Sequence, residues 1–478
     1  MKRFIFFLFS VCLLPSNMYG QTIKPIKKVK KSRIQNEGKN FSRNDSIIGS
    51  RISNAKKINL SAKTTYTDYK IFSFLKDTSF VDTTLNINKH YRFNFLRKDN
   101  FGLLPFHNIG QTFNRLTYDY DLINTAPDIG FTAKQFSFKN IEDISYFEVP
   151  TPTSEIMFLT TLEQGQFLES FFSLNFSRRM NVSIAYTGLR SLGKYREALV
   201  SQGNFRTTFH YETIKGNYKI RGHLSTQDVL NEESGGLTGE SLQAFKDNDP
   251  NFSDRARMDV NLNDTENFLE SSRVFFEHDY KILSSKDSVS KKDFTNLKIG
   301  HIFERQLKTY ELRQNSPTAF IGTTNFSGNI RDGVENSFLR NTFFLEFNSK
   351  YILGTFRVKS NLMSYSYGYN EIKNQTSGIN KLKLEGSAAS FGADWKAKVN
   401  KFKLDATGEI TPGTGRLSGT NLRGNLSYKK DSLFDIKASI LLNSKSPNFN
   451  FLLHQSTYNE YNWENDFENI RTQNLGFR

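Results

Sequence analysis

Cysteine is nearly absent. The single one, Cys12, sits in the apolar run IFFLFSVCLL and follows Val11 rather than a small residue, which argues against lipid attachment there. Everything after residue 20 is cysteine-free, so disulfides, thiol catalysis and cysteine-ligated metals are excluded together. Long apolar runs are missing too. No later segment holds about 18 consecutive apolar residues, so no helical membrane span is expected. No useful helical period appears, and no repeat of roughly 20–50 residues marks a solenoid or propeller.

Catalytic spacing is equally scarce. Neither G-x-S-x-G nor H-E-x-x-H occurs. The histidines at 90, 107, 210, 223, 278, 301 and 454 are scattered. GTGRLS at 413–418 lacks the last glycine of a dinucleotide fingerprint. Asp247, Asp249 and Asn251 alternate as calcium ligands do, but no glycine occupies the sixth position and Met258 stands at the twelfth. No catalytic, cofactor or metal residues are therefore assigned, and an enzyme is not expected.

What is present begins with a leader. Met1-Lys2-Arg3, a short apolar run and Gly20 at a plausible cleavage point read as a signal peptide over 1–20. Its removal takes Lys2 and Arg3 with it and lowers the net charge from +16 to +14. Residues 21–63 open with QTIKPIKKVKKSRI and read as a basic flexible tail. Elsewhere the basic residues are spread out, with no helix–turn–helix pattern or zinc spacing, so nucleic acid is not an expected partner. An exported chain with 45 Phe and 20 Tyr but low overall hydropathy fits strands of which only one face is apolar.

Residues 203–225 show that two-facedness. Phe205, Thr207, Phe209 and Tyr211 alternate with Asn204, Arg206, Thr208, His210 and Glu212. After the turn 213–216, Tyr218, Ile220, Gly222 and Leu224 alternate with Lys219, Arg221, His223 and Ser225. Side chains on a strand alternate sides, so this is a hairpin with one apolar and one charged face. A soluble sandwich gives the same alternation; the connections discriminate. Candidate strands are 131–138, 143–149, 154–162, 167–177, 181–190, 204–212, 217–225, 267–282, 294–305, 337–348, 352–366, 381–398, 401–410, 417–428, 434–443 and 448–457, about 16 in all. Shorter connections tend to alternate with longer ones such as 226–266, as in an outer-membrane barrel with short periplasmic turns and long external loops. The expected fold is thus all-β, a transmembrane antiparallel β-barrel over 131–478. A small β or irregular segment at 64–130, with period-2 pieces at 69–74 and 91–96, precedes it. TQNLGFR at the C-terminus looks like a strand just begun, so the barrel is expected to be incomplete there.

The stretches LRKDNFGLLPFHNIGQTFNRL (96–116), YFEVPTPTSEIMFLTTLEQGQFLESFFSLNF (146–176) and SIAYTGLRSLGKYREALVSQGNFRTTFHYET (183–213) resemble the putative porin family of Bacteroidetes outer membranes. The resemblance implies an outer-membrane β-barrel and diffusion, without naming a solute. The resulting expectation is passive passage of small polar solutes, with outer-membrane lipid as the surrounding partner. The alternative is a non-conducting structural or secretion-associated barrel. Arg206, His210, Lys219 and Arg221 are the expected pore-lining cations, with Glu169 and Glu212 as lumen carboxylates. Either the fixed positive groups lend anion selectivity, or the carboxylates pair with them and cancel it. His210 and His223 face the same side, where a pH-sensitive pair is one reading and two ordinary wall histidines among many polar groups is the expected one.

Overall fold

The computed structural model describes residues 64–82, 86–117, 126–161, 163–286, 293–349, 353–369, 372, 383–430 and 434–478. The leader and basic tail lie outside the described residues. The dominant element is a wall of fourteen antiparallel strands, each paired with its neighbours in chain order. They are β1 (Thr153–Thr161), β2 (Gly165–Ser177), β3 (Met180–Ser191), β4 (Val200–Glu212), β5 (Tyr218–Glu232), β6 (Thr265–Lys286) and β7 (Asp293–Gln314). Then come β8 (Ile330–Ser349), β9 (Gly354–Tyr369), β10 (Lys383–Val399), β11 (Phe402–Thr411), β12 (Gly419–Lys430), β13 (Phe434–Lys445) and β14 (Ile470–Phe477). The order places β1 at one edge and β14 at the other; the two are not paired among the described residues.

Connections alternate in length along the wall. The strand ends joined across 178–179, 213–217, 287–292, 350–353, 400–401 and 431–433 lie at one end of the wall. The strand ends joined across 192–199, 233–264, 315–329, 370–382, 412–418 and 446–469 lie at the other, with those joined across the short connection 162–164. The connection 233–264 carries the helix Gly239–Lys246, capped by Thr238, and is shorter than the expected 226–266 because β5 and β6 run on past the apolar stretch. In this loop Asp249 and Asp254 cap their own turns through the backbone N–H groups of Asn251 and Ala256, an ordinary use of aspartate oxygens at a turn.

Three of the expected strands are not in the wall. Residues 131–138 form turns, 143–149 contributes only Tyr146–Glu148, and 448–457 contains a helical turn, Phe449–Leu452, and the two-residue strand Leu453–His454. Conversely, TQNLGFR belongs to an eight-residue strand, Ile470–Phe477, paired along its length with β13. The piece at 91–96 is not a strand either; it overlaps the 3-10 turn Ile87–Phe93. In these pieces aromatic residues mimic period two, but what ladder they form is short and outside the wall: Tyr146–Glu148 pairs with Lys70–Phe72 and Leu453–His454 with Trp463–Glu464.

The described residues between 64 and 149 form an insert against the polar face of the wall. Thr78–Phe80, Lys70–Phe72 and Tyr146–Glu148 make a three-stranded antiparallel sheet, and Leu103–Pro105 pairs with Phe113–Arg115. The wall curls around this insert. The carbonyl of Phe74 accepts from Arg221 on β5 at 2.6 Å, and the adjacent carbonyl of Leu75 accepts from Lys396 on β10 at 3.3 Å. In a flat sheet those strands would stand roughly 24 Å apart, at about 4.8 Å per strand. One turn of chain reaches both only across a concave surface.

Candidate functional site: the occupied inner face

The wall has two chemically distinct faces. Outward positions carry large apolar side chains left open to the surroundings, among them Phe205 at 45%, Leu224 at 51%, Phe343 at 51% and Phe391 at 55% exposure. Inward positions on the same strands are polar and mostly buried: Asn204 and Thr208 on β4; Arg221, His223, Ser225 and Gln227 on β5; Arg273, Glu277 and Asp279 on β6. Inward apolar residues do occur, and each cluster packs on the insert. Phe275 meets Ile144 and Tyr146; Val229 and Leu269 meet Phe138; Tyr365, Tyr367 and Leu384 meet Ala126 and Ile129.

All six residues singled out from the sequence lie on the inward face, and five of them form ion pairs. Arg206 donates to Glu169 at 2.9 Å, to Thr187 Oγ1 at 3.2 Å and to Asn204 Oδ1 at 3.1 Å. Lys219 pairs with Glu212 at 3.1 Å. Arg221 donates from Nε to Glu277 at 2.8 Å and from its terminal nitrogens to the carbonyls of Ser73 at 2.9 Å and Phe74 at 2.6 Å. Its guanidinium also lies 4.9 Å from the Tyr146 ring. His210 is half-buried, its ring 5.7 Å from Phe72. The two histidines do not pair with each other, as the reading of ordinary wall histidines expects. His223 Nδ1 and the Tyr146 hydroxyl share a hydrogen bond of 2.9 Å, while His223 Nε2 accepts from Arg273 at 3.1 Å.

The residues that sequence reading missed sit one strand further on. Glu277 receives Arg221 from the wall, Lys76 from the insert at 2.8 Å, and Arg357 from β9 at 4.0 Å. Arg357 also donates to Glu346, which takes Lys298 at 2.7 Å. A carboxylate buried this deeply is tolerable only with such partners. The alternation Arg273, Phe275, Glu277, Asp279 was available in FFEHDY and its flanks. What no pattern supplied was Lys76, which approaches from a turn more than two hundred residues away.

Further insert contacts run from polar side chain to main chain or between charged side chains. Gln227 accepts from the Lys139 N–H at 2.8 Å and donates to the Lys139 carbonyl at 2.9 Å. Asn108 donates to the Ala198 carbonyl, and Gln202 to that of Gly110, each at 2.7 Å. Lys308 pairs with Asp128 at 2.9 Å. Burial pushes the Lys139 ammonium below its ordinary pKa, with Arg206 adding to the effect. Glu142 is open to water but ringed by protein; that enclosure raises its pKa, and Glu304 and Asp143 push the same way. At the long-loop end, Asp332 accepts from Ser456 Oγ, Thr457 N and Thr457 Oγ1 at 2.6 to 2.7 Å, fastening the connection 446–469 to β8.

A curled antiparallel wall, apolar outside and charged inside, defines a protein of the β-barrel type. The chain belongs to the putative porin family, whose model matches residues 65–478. That membership points to a transport or channel protein rather than an enzyme. No curated protein matches the chain. Among solved structures it is similar to the closed form of the ferric-catecholate import receptor Fiu from E. coli K12, with a TM-score of 0.41 and 12% identity over 64% of this chain and 51% of that one. The chain spans about half the length of that receptor.

Proposed function

We propose that the protein is an outer-membrane porin through which small polar solutes diffuse passively along the inward face of the wall, past an insert that narrows the passage. The observation that carries this reading is the two-faced wall. Large apolar side chains stand exposed on strand after strand of one face, and lipid is the surface that would cover them. The charged face has no place in lipid and suits water. The segregation of short and long connections supports short turns in the periplasm and long loops outside the cell. An N-terminal leader supplies the export that this location needs.

A second reading is favoured by the insert itself. Lys76, Tyr146 and the carbonyls of Ser73 and Phe74 are held by wall charges, which suits a closed barrel that does not conduct. Planar-bilayer conductance of the purified full chain separates the two. Steady ohmic conductance from the wild type supports the diffusion reading. Silence from the wild type together with conductance from Lys76→Met would reassign it as a gated barrel. Silence from both would leave a structural role.

A further inference from the structure

Arg206, Lys219 and Arg221 are neutralised by carboxylates, and unpaired inward cations gather on other strands. Residues 396–403 read KAKVNKFK and 429–437 read KKDSLFDIK; they hold the short turns β10–β11 and β12–β13 with their flanks. Lys398, Lys403, Lys429 and Lys437 stand on the inward face, since Trp395, Phe402, Leu426 and Ile436 of the same strands point outward and are exposed. The register sets Lys398 opposite Lys403, Lys403 opposite Ser427 and Ser427 opposite Lys437. Lys398, Lys403 and Lys437 thus share one row across β10–β13, roughly 14 Å wide at about 4.8 Å per strand.

Among the described residues Lys398, Lys403 and Lys429 have no ion-pair partner. Lys396 meets Asp405, and Lys437 meets Asp435, each only at 3.8 Å. The two segments hold seven lysines, at 396, 398, 401, 403, 429, 430 and 437, against Asp405, Asp431 and Asp435. Asp77, on the insert turn whose Leu75 carbonyl takes Lys396, brings the acids to four. Arg478, joined to Lys437 through the main chain, adds a guanidinium and a terminal carboxylate and leaves the difference as it is. One step deeper the inward charges balance, Lys359 and Arg423 against Asp394 and Glu409. Like charges directly opposite on a sheet work against its pairing, and a concave low-dielectric wall focuses their field. We propose that this lysine row captures solutes carrying two or more negative charges where the inner face opens at its short-turn end. Its use in passage rests on the diffusion reading; the affinity itself does not.

The test is calorimetric titration of the full chain, in uncharged detergent at low ionic strength, with tripolyphosphate. Saturable binding is expected, weakened roughly tenfold when Lys398→Gln, Lys403→Gln and Lys429→Gln are combined, and lost as salt is added. Arg178→Gln, Arg179→Gln and Lys215→Gln combined remove the same charge from other turns at the same end and should bind as the wild type does. Heat-modifiable migration on gels checks folding, which the lysine variant should retain because it relieves an opposed like pair. Absence of saturable binding, or equal weakening in both triple variants, would overturn the site. Acetate binding as tightly as tripolyphosphate would overturn the preference for several charges. A wild type that binds tripolyphosphate yet is silent in a planar bilayer would keep the site and refute diffusion instead.

Discussion

Arg221 joins wall to insert, and its replacement by methionine separates two roles that the sequence leaves merged. Met keeps an unbranched apolar stem beside Tyr146 but removes the donors to Ser73 O, Phe74 O and Glu277. A hydrogen bond to a charged group contributes about 1.5–3 kcal/mol, and the two carbonyls lose theirs inside a desolvated contact. Breaking a buried ion pair costs about 3–5 kcal/mol when the other charge is stranded. Glu277 is not stranded, because Lys76 at 2.8 Å and Arg357 at 4.0 Å remain. The loss should therefore fall on docking of the insert, at about 3–5 kcal/mol, and not on strand pairing. At 1.4 kcal/mol per decade that is roughly a hundredfold to several-thousandfold more frequent opening. Hydrogen exchange of amides in 70–80 and 144–148 should accelerate accordingly, while amides of β5 and β6 keep their protection. Lys219→Met, which breaks a half-exposed pair with Glu212, should change little. If the insert amides are unaffected and those of β5 exchange faster, Arg221 supports the wall alone and the clamp is refuted.

Four further outcomes follow from the same geometry. Cysteines at Glu212 and Lys219 should react with a water-soluble thiol reagent, and cysteines at Phe205 and Leu224 should not; equal labelling would cancel the assignment of faces. An epitope placed after Gly236, a residue with open space around it and a φ of +84°, should be detected on intact cells, whereas detection only after permeabilisation would invert the topology. Asp332→Ala should strand three donors on Ser456 and Thr457, cost about 3–5 kcal/mol locally, and expose 455–462 to limited proteolysis; unchanged cleavage would show that the buried Phe449, Leu452 and Tyr458 suffice to hold that connection. In a salt gradient, the pair Arg206→Glu and Arg221→Glu should shift the reversal potential towards cations if these residues border the conduit, and an unchanged potential would remove them from it.

Period two carried most of the fold. The hairpin 203–225 has the strand faces expected of it, because Arg206 opposes Ser225 and Phe205 opposes Thr226 in the observed register. Its strands are longer than expected, and the reason is chemical. Beyond Ser225, β5 continues TQDVLNE, where both faces are polar or mixed, so alternation gives no signal although the ladder persists to Glu232. The same loss of contrast hides the far ends of β6 and β7. Strands that clear the bilayer need no apolar face, and only pairing defines them there.

The site was legible as a set of residues and illegible as an arrangement. Arg206, Arg221, Glu169 and Glu212 could be placed on one face, but facing inward does not say what stands opposite. A hint was nonetheless present. A water-filled lumen has no use for inward Phe275, Phe344, Tyr365 and Tyr367, and each such residue is a request for an apolar partner inside the wall. Phe275 finds Tyr146, and Tyr367 finds the Ile129 cluster; Phe344 is the exception, its ring met by the Lys76 ammonium at 6.0 Å and by the wall's own Arg357 at 4.2 Å. Gly300 makes room for the Phe344 ring, since a Cβ there would stand 2.2 Å from it. Inward aromatics, and not inward charges, are therefore the sequence mark of an occupied barrel. The charges then have a different task from the one their number suggests. Spread over long-range pairs such as Lys76 with Glu277 and Lys308 with Asp128, they set where a short insert sits against a curved wall.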